Sequence, residues 1–243
     1  MMSFLAFLCG ICRIGEAIGE RGCARHEIRV CCMDKTTRTT KDYIEDVVYK
    51  TFEAIQDAYN YQQENAPKLD NPSRLKLSRI VFPKKRDETT RISEQELRCV
   101  FVEQLNKKIA EGWDVYYSFE TPTQDAYSGF SKDGAPKQDD RGRSGEFDLV
   151  IFDNHLQRIA LIEFKANNAS RNDHLKDFVK LNNAKEGDKS VLRYFIEIIK
   201  SFDNGTLMNL RGKTKESESM FRCWSLEKGK EITEEIGMAP IKQ

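Results

Sequence analysis

Asp148, Glu163 and Lys165 sit inside two strongly apolar stretches, DLVIF and IALIEFK. In a strand, residues two apart share a face. Ile159, Leu161, Glu163 and Lys165 therefore lie on one face of the second stretch, and Asp148 lies with Val150 and Phe152 on one face of the first. A connecting loop of even length, such as Asp153–Arg158, puts Phe152 opposite Ile159, Val150 opposite Leu161 and Asp148 opposite Glu163. That face is apolar at the turn end and acidic at the other. Two carboxylates about 4 Å apart repel by roughly 4 kcal/mol at an effective dielectric near 20, and like charges facing each other on a sheet are destabilising. A cation removes the problem. Lys165 supplies one charge, and a divalent ion supplies two. Oxygen donors without Cys or His nearby favour Mg2+ or Mn2+ over zinc. A water on such an ion, made more acidic and held by Lys165, would be suited to attack a phosphate in line.

These residues need elements to hold them. The spacing of Ile44, Val47, Val48, Phe52, Ile55 and Tyr59 predicts an amphipathic helix over Lys41–Asn65, ended by Pro67 and Pro72. A second helix starts near Ile92, with Ser93 as N-cap, the stripe Leu97, Val100, Phe101, Leu105 and Ile109, and Gly112 after its end. Trp113–Glu120 alternates as a strand. Thr121–Gly145 reads as a long loop rich in Gly, Ser, Asp, Lys and Pro. The two apolar strands follow as Glu146–Asp153 and Arg158–Ala166. Then come a helix around Leu175, Phe178 and Val179, capped by Ser170, and the segment VLRYFIEIIK, a strand whose length leaves helix open. FRCWSL is a candidate further strand, and the last dozen residues read as loose. The order is helix–strand–strand–strand–helix–strand behind an extra N-terminal helix, an α/β fold with a mixed sheet.

Composition bounds the partners. The 243 residues carry no formal net charge, so attraction to nucleic acid must come from local patches. Lys68–Arg86, with seven Lys/Arg against one acid, is a candidate phosphate contact or, slightly preferred, a solvated edge. No apolar run reaches the roughly 18 residues of a membrane span. Five of seven cysteines lie in the first 32 residues, so the rest has no disulfide framework, which suits a cytoplasmic location. The apolar start lacks a leading Lys or Arg and a clear cleavage site, which disfavours a signal peptide. CGIC has metal or redox spacing, but the composition changes at Met33, and residues 1–33 are read first as an upstream extension.

The pattern of Asp148 followed by LVIF, then Glu163-Phe164-Lys165 with fourteen residues between Asp148 and Glu163, flanked by two helices, resembles the PD-(D/E)XK nuclease superfamily over roughly Ile92–Ile199. Phe147 stands where the family usually has Pro. The resemblance implies a restriction-endonuclease-like core (αβββαβ) at 91–210, preceded by a helix and basic linker at 34–90 and followed by an extension at 211–243. It implies metal binding by Asp148, Glu163 and the Phe164 carbonyl, with Lys165 orienting water or stabilising charge. It also implies a catalytic Glu from the first core helix, which points to Glu96. SEQE is equally a capping box, with Glu96 reaching back to the Ser93 N–H. Some members carry Gln and Tyr four residues apart on the next helix; His174 and Phe178 stand there instead. His174, Lys176, Arg141 and Arg143 are candidate phosphate contacts for which ordinary solvated charge is the simpler reading. The implied activity is Mg2+- or Mn2+-dependent cleavage of nucleic acid, DNA first, in restriction, repair or mobile-element defence, by a homodimer or within a larger defence complex. The rivals are a nucleic-acid-binding module that does not cut and a protein-interaction scaffold using the N-terminal helix.

Overall fold

The strands Leu149–Ile151 and Ala160–Ile162 are apolar on both faces and fully buried, which requires a layer of structure on each side. The computed structural model describes residues 38–65, 80–130, 136–167, 171–201 and 219–236, all within one unit, Arg38–Gln243. The CGIC spacing, residues 68–79 of the basic segment and Ser170 lie outside the described residues. Among those described, three helices flank a seven-stranded sheet. The elements are α1 (Thr40–Asn65), α2 (Glu94–Ala110), β1 (Tyr116–Phe130), β2 (Pro136–Gln138), β3 (Arg143–Phe152), β4 (Arg158–Ala166), α3 (Arg171–Leu181), β5 (Leu192–Ile199), β6 (Met220–Ser225) and β7 (Lys230–Glu231). Spatial order is β2-β1-β3-β4-β5-β6-β7. Strands β4, β5 and β6 run parallel, and the other neighbours pair antiparallel. None of the described helices is long and apolar enough to cross a membrane.

Two cores sandwich the sheet. On one face α1 and α2 bury Val48, Phe52, Leu97 and Phe101 against Leu149, Ile162, Phe164 and Ile196. Phe101 meets Phe164 edge to face, with ring centroids 5.2 Å apart. On the other face Phe178 and Leu181 of α3 pack with Leu161, Phe195 and Phe221. Strand alternation fixes the consequence. Phe164 points to α2, so Glu163 and Lys165 point to the α3 side.

The hairpin register agrees with the sequence for Val150↔Leu161 and differs for Phe152, which pairs with Arg158 rather than Ile159. Its loop holds an odd number of residues, Asp153–Gln157, and a bulge at Ile159 restores the even offset. Asp153 Oδ1 closes the loop by accepting the N–H groups of His155 (2.9 Å) and Gln157 (2.8 Å). The larger correction is the long loop. β1 starts at Tyr116 and runs on through Phe130, and β3 begins at Arg143, so most of Thr121–Gly145 is strand. Its inward side chains are Thr121, Thr123 and Asp125, all buried. They are polar, so the alternation carries no hydrophobic signal. Phe119 is 45% exposed. At the C-terminal side β6 and β7 extend the sheet beyond β5.

Candidate functional site

Helix α3 crosses the sheet with an inner stripe that is charged as well as apolar. His174, Asp177 and Lys180 recur at three-residue steps, with Phe178 and Leu181 beside them. Each of the three meets a charged group that the strands aim at it. His174 Nε2 lies 3.1 Å from Glu197 Oε1, Asp177 Oδ2 lies 2.8 Å from Lys165 Nζ, and Lys180 Nζ lies 2.6 Å from Glu163 Oε1. His174 is 1% exposed, so it is a buried partner of Glu197 and not a surface contact for phosphate.

Beyond the Leu149↔Ile162 pair the β3–β4 ladder gives way. Asp148 Oδ2 instead accepts the backbone N–H of Phe164 at 2.8 Å. Its Oδ1 faces Arg98 at 3.3 Å, and Arg98 also approaches Glu120 at 3.5 Å. Glu120 is a non-glycine residue at φ 46°. Register puts Glu120, Asp148 and Glu163 in one row across β1, β3 and β4, at the place where regular pairing is interrupted. Lys165 Nζ donates to the Phe164 carbonyl at 3.2 Å and lies 3.4 Å from Glu94.

These groups line a cavity of about 700 Å³. Its described lining carries six carboxylates (Glu94, Glu120, Glu146, Asp148, Glu163, Asp177) and three lysines (Lys165, Lys176, Lys180), a formal excess of three negative charges. Burial pushes the Glu163 carboxyl well above its ordinary range, and Asp177 and Asp148 add to the push against Lys180. Burial raises Glu94 as well, with Asp148 contributing and Lys165 opposing. Burial works against the Lys165 ammonium, but Asp177, Glu94 and Glu163 outweigh it and its pKa is raised. For Asp177 burial is outweighed by Lys180 and Lys165, and its pKa is lowered. Asp177 thus carries the negative charge between two lysines, while Glu163 is the carboxyl that keeps its proton to higher pH.

That imbalance has a testable sign. A carboxyl whose folded pKa exceeds its unfolded value, about 4.3 for Glu, binds its proton longer in the native state. It therefore lowers stability as pH rises through that interval. Glu163→Gln removes the liability and leaves Lys180 paired to Asp177. Its Tm is expected at or above the parent value near neutral pH, by roughly 2–4 °C for each kcal/mol relieved, with the gain shrinking toward pH 4. Thermal melts across pH check this. A variant that melts below the parent at neutral pH contradicts it.

Of the four side chains singled out by sequence, the structure brings Asp148, Glu163 and Lys165 together and puts Glu96 elsewhere. Ser93 is the N-cap residue but caps no helix N–H. Its hydroxyl donates to Glu96 Oε2, and Glu96 Oε1 pairs with Arg91 at 3.0 Å. Neither the reciprocal capping box nor a place in the cavity is seen for Glu96. Glu94 lines the cavity instead. The sequence held that signal: Glu94 lies on the stripe of Leu97, Phe101 and Leu105, whereas Glu96 lies about 140° from its middle at 100° per residue. Lys180 and Asp177 escaped notice because their charges mask an inward-facing stripe. The expected contrast is a loss of activity of about tenfold or more for Glu94→Gln and little change for Glu96→Gln, compared under single-turnover conditions. Equal losses would restore Glu96 to the site.

Among the described residues no three His, Cys, Asp or Glu side chains form a metal-holding group by themselves. Of the ligands that the resemblance implies, Asp148 and Glu163 line this cavity, and the Phe164 carbonyl accepts from Lys165 Nζ at 3.2 Å; carboxylate and carbonyl oxygens are the donor class of a hard ion. No protein-family model, no curated protein and no solved structure matches the chain, so the meaning of the site rests on its own geometry.

Proposed function

We propose that the chain is a divalent-metal-dependent nuclease, cutting nucleic-acid phosphodiester bonds and DNA first, on a core of the PD-(D/E)XK type. The order α2, β1, β3, β4, α3, β5 follows the helix–strand–strand–strand–helix–strand plan of that core. The observation that carries the reading is the meeting of Asp148, Glu163 and Lys165 in a cavity whose carboxylates outnumber its lysines. A phosphodiester is an anion, and such a cavity repels it until a cation is present. A pocket that only bound nucleic acid would have the opposite balance.

Asp148, Glu163 and the Phe164 carbonyl would hold Mg2+ or Mn2+. A bound divalent ion supplies Lewis acidity and a more acidic water. The chain's own groups do the rest. Arg98 and the Phe164 N–H fix both oxygens of Asp148. Asp177 and Glu94 hold Lys165 as an ammonium at the cavity wall, placed to meet charge developing on phosphate. Lys176 stands on the lining as a contact for the flanking backbone.

A second reading, a module that does not cut, is favoured by one feature. Lys165 and Lys180 are both seated on carboxylates. The deciding assay incubates plasmid, linear duplex, single-stranded DNA and RNA with Mg2+, Mn2+ or EDTA. Metal-dependent cutting that Lys165→Ala removes supports the nuclease. Cutting that survives EDTA or Lys165→Ala overturns the mechanism, and binding without cutting supports the module.

A further inference from the structure

The ammonium of Lys180 is held as a metal ion would be. It donates to the Glu146 carbonyl at 2.7 Å and forms close ion pairs with Glu163 Oε1 at 2.6 Å and Asp177 Oδ1 at 2.9 Å. Lys180 is 4% exposed. Two carboxylates and a backbone carbonyl are the donor class that hard cations take. The route of the side chain is shaped for this. Its ammonium lies 5.8 Å from the Phe147 ring centroid, and its stem passes Gly145, where an added Cβ would stand 3.2 Å from Lys180 Cδ. Asp177 meanwhile spans two cations, Lys180 through Oδ1 and Lys165 through Oδ2. A surface ion pair needs one carboxylate. This one closes on Glu163, which the proposed function assigns to the divalent ion, and on the backbone of the strand that carries Asp148.

We propose that Lys180 is the resident second cation of the site: its ammonium fills the position among Glu163, Asp177 and the Glu146 carbonyl that a second divalent ion would otherwise take, so the chain binds a single divalent ion at Asp148 and Glu163. The inference rests on the metal-site reading above. Lys180 is a positioning residue in this scheme. It is seated on three oxygens, and it acts by holding its charge beside Glu163 and limiting the ion count.

The test is Mn2+ stoichiometry on the full chain, by calorimetry and electron paramagnetic resonance, with circular dichroism to monitor folding. The parent is expected to bind one Mn2+, and Lys180→Ala two. Lys180→Met keeps a stem beside Phe147 and Gly145 and removes the charge. It is expected to bind one Mn2+ about tenfold more tightly, because a neighbouring positive charge is gone. Two ions in the parent, or one ion in a folded Lys180→Ala together with unchanged affinity in Lys180→Met, overturns the proposal. If Lys180→Ala does not fold, the Lys180→Met affinity decides alone. The metal-site reading fails separately. No Mn2+ in the parent but one in Lys180→Ala keeps Lys180 as the resident cation and removes the ion from Asp148 and Glu163. No Mn2+ in any variant removes both.

Discussion

Asp148→Asn is expected to lower Mg2+-dependent cleavage by about 10³-fold while the protein stays folded. The asymmetry follows from what Asp148 touches. Its Oδ2 accepts the Phe164 N–H at 2.8 Å, and the asparagine carbonyl can keep that bond. Its Oδ1 faces Arg98 at 3.3 Å, and the amide of asparagine gives up that ion pair. The Asp148 and Arg98 side chains are each about one-fifth exposed, and Arg98 keeps Glu120 as a partner, so the stability cost is about 1–3 kcal/mol. The functional cost is large, because a neutral amide is a poor ligand for a hard divalent ion. Lys165→Ala is expected to match it within about tenfold, and Lys165→Arg is not expected to rescue, because a planar fork cannot reproduce the contacts to Asp177, Glu94 and the Phe164 carbonyl. Single-turnover cleavage of a labelled duplex with circular dichroism of each variant decides the matter. A folded Asp148→Asn that cuts at the parent rate removes Asp148 from the chemistry.

The hairpin that carries Asp148, Glu163 and Lys165 was legible because both its faces are buried. Strand alternation then leaves few places for a charge, and Asp148, Glu163 and Lys165 stand out against Val, Ile and Phe. The even offset was legible too, although it arises from an odd loop plus a bulge at Ile159. What stayed hidden is polar structure packed against polar structure. Thr121, Thr123 and Asp125 alternate inward on β1 as faithfully as valines would, but their burial is stabilised by specific partners. Composition reports such a segment as a loop. His174, Asp177 and Lys180 raise the same difficulty on α3. A charged inner stripe looks like a solvated face until the strands opposite are known to carry Glu197, Lys165 and Glu163. The choice of Glu96 over Glu94 has a different origin. The resemblance asked for a Glu on the first core helix and pointed to Glu96, while helical phase puts Glu94 on the inner stripe, and Glu94 is the one that lines the cavity.

The same polar packing predicts the largest stability effect away from the cavity. Glu186 belongs to a short 3-10 turn, Ala184–Glu186, just after α3, and its side chain is fully buried. Its carboxylate accepts the N–H groups of Gln124 at 2.9 Å and Asp125 at 3.1 Å, where β1 breaks register with β3. It also pairs with Arg158 at 3.0 Å, and Arg158 donates onward to the Pro122 carbonyl at 2.9 Å. One buried anion thus joins the end of α3, the irregular middle of β1 and the first residue of β4. Removing it strands a largely buried guanidinium and two backbone donors together. Glu186→Ala is expected to cost about 3–5 kcal/mol, roughly 10 °C in Tm for a chain of this size, measured by urea and thermal unfolding. The companion variant isolates the cause. If the cost comes from the uncompensated cation, adding Arg158→Met to Glu186→Ala recovers part of it, and the double-mutant cycle shows coupling well above about 0.5 kcal/mol. Additive losses would mean that the lock works through the backbone donors alone. Because Lys180 and Glu186 lie on the same short stretch of chain, loosening the lock is also expected to shift Mn2+ affinity in the folded Glu186→Gln variant in the direction of Lys180→Met, toward tighter binding. The cavity would then depend on a carboxylate that does not line it.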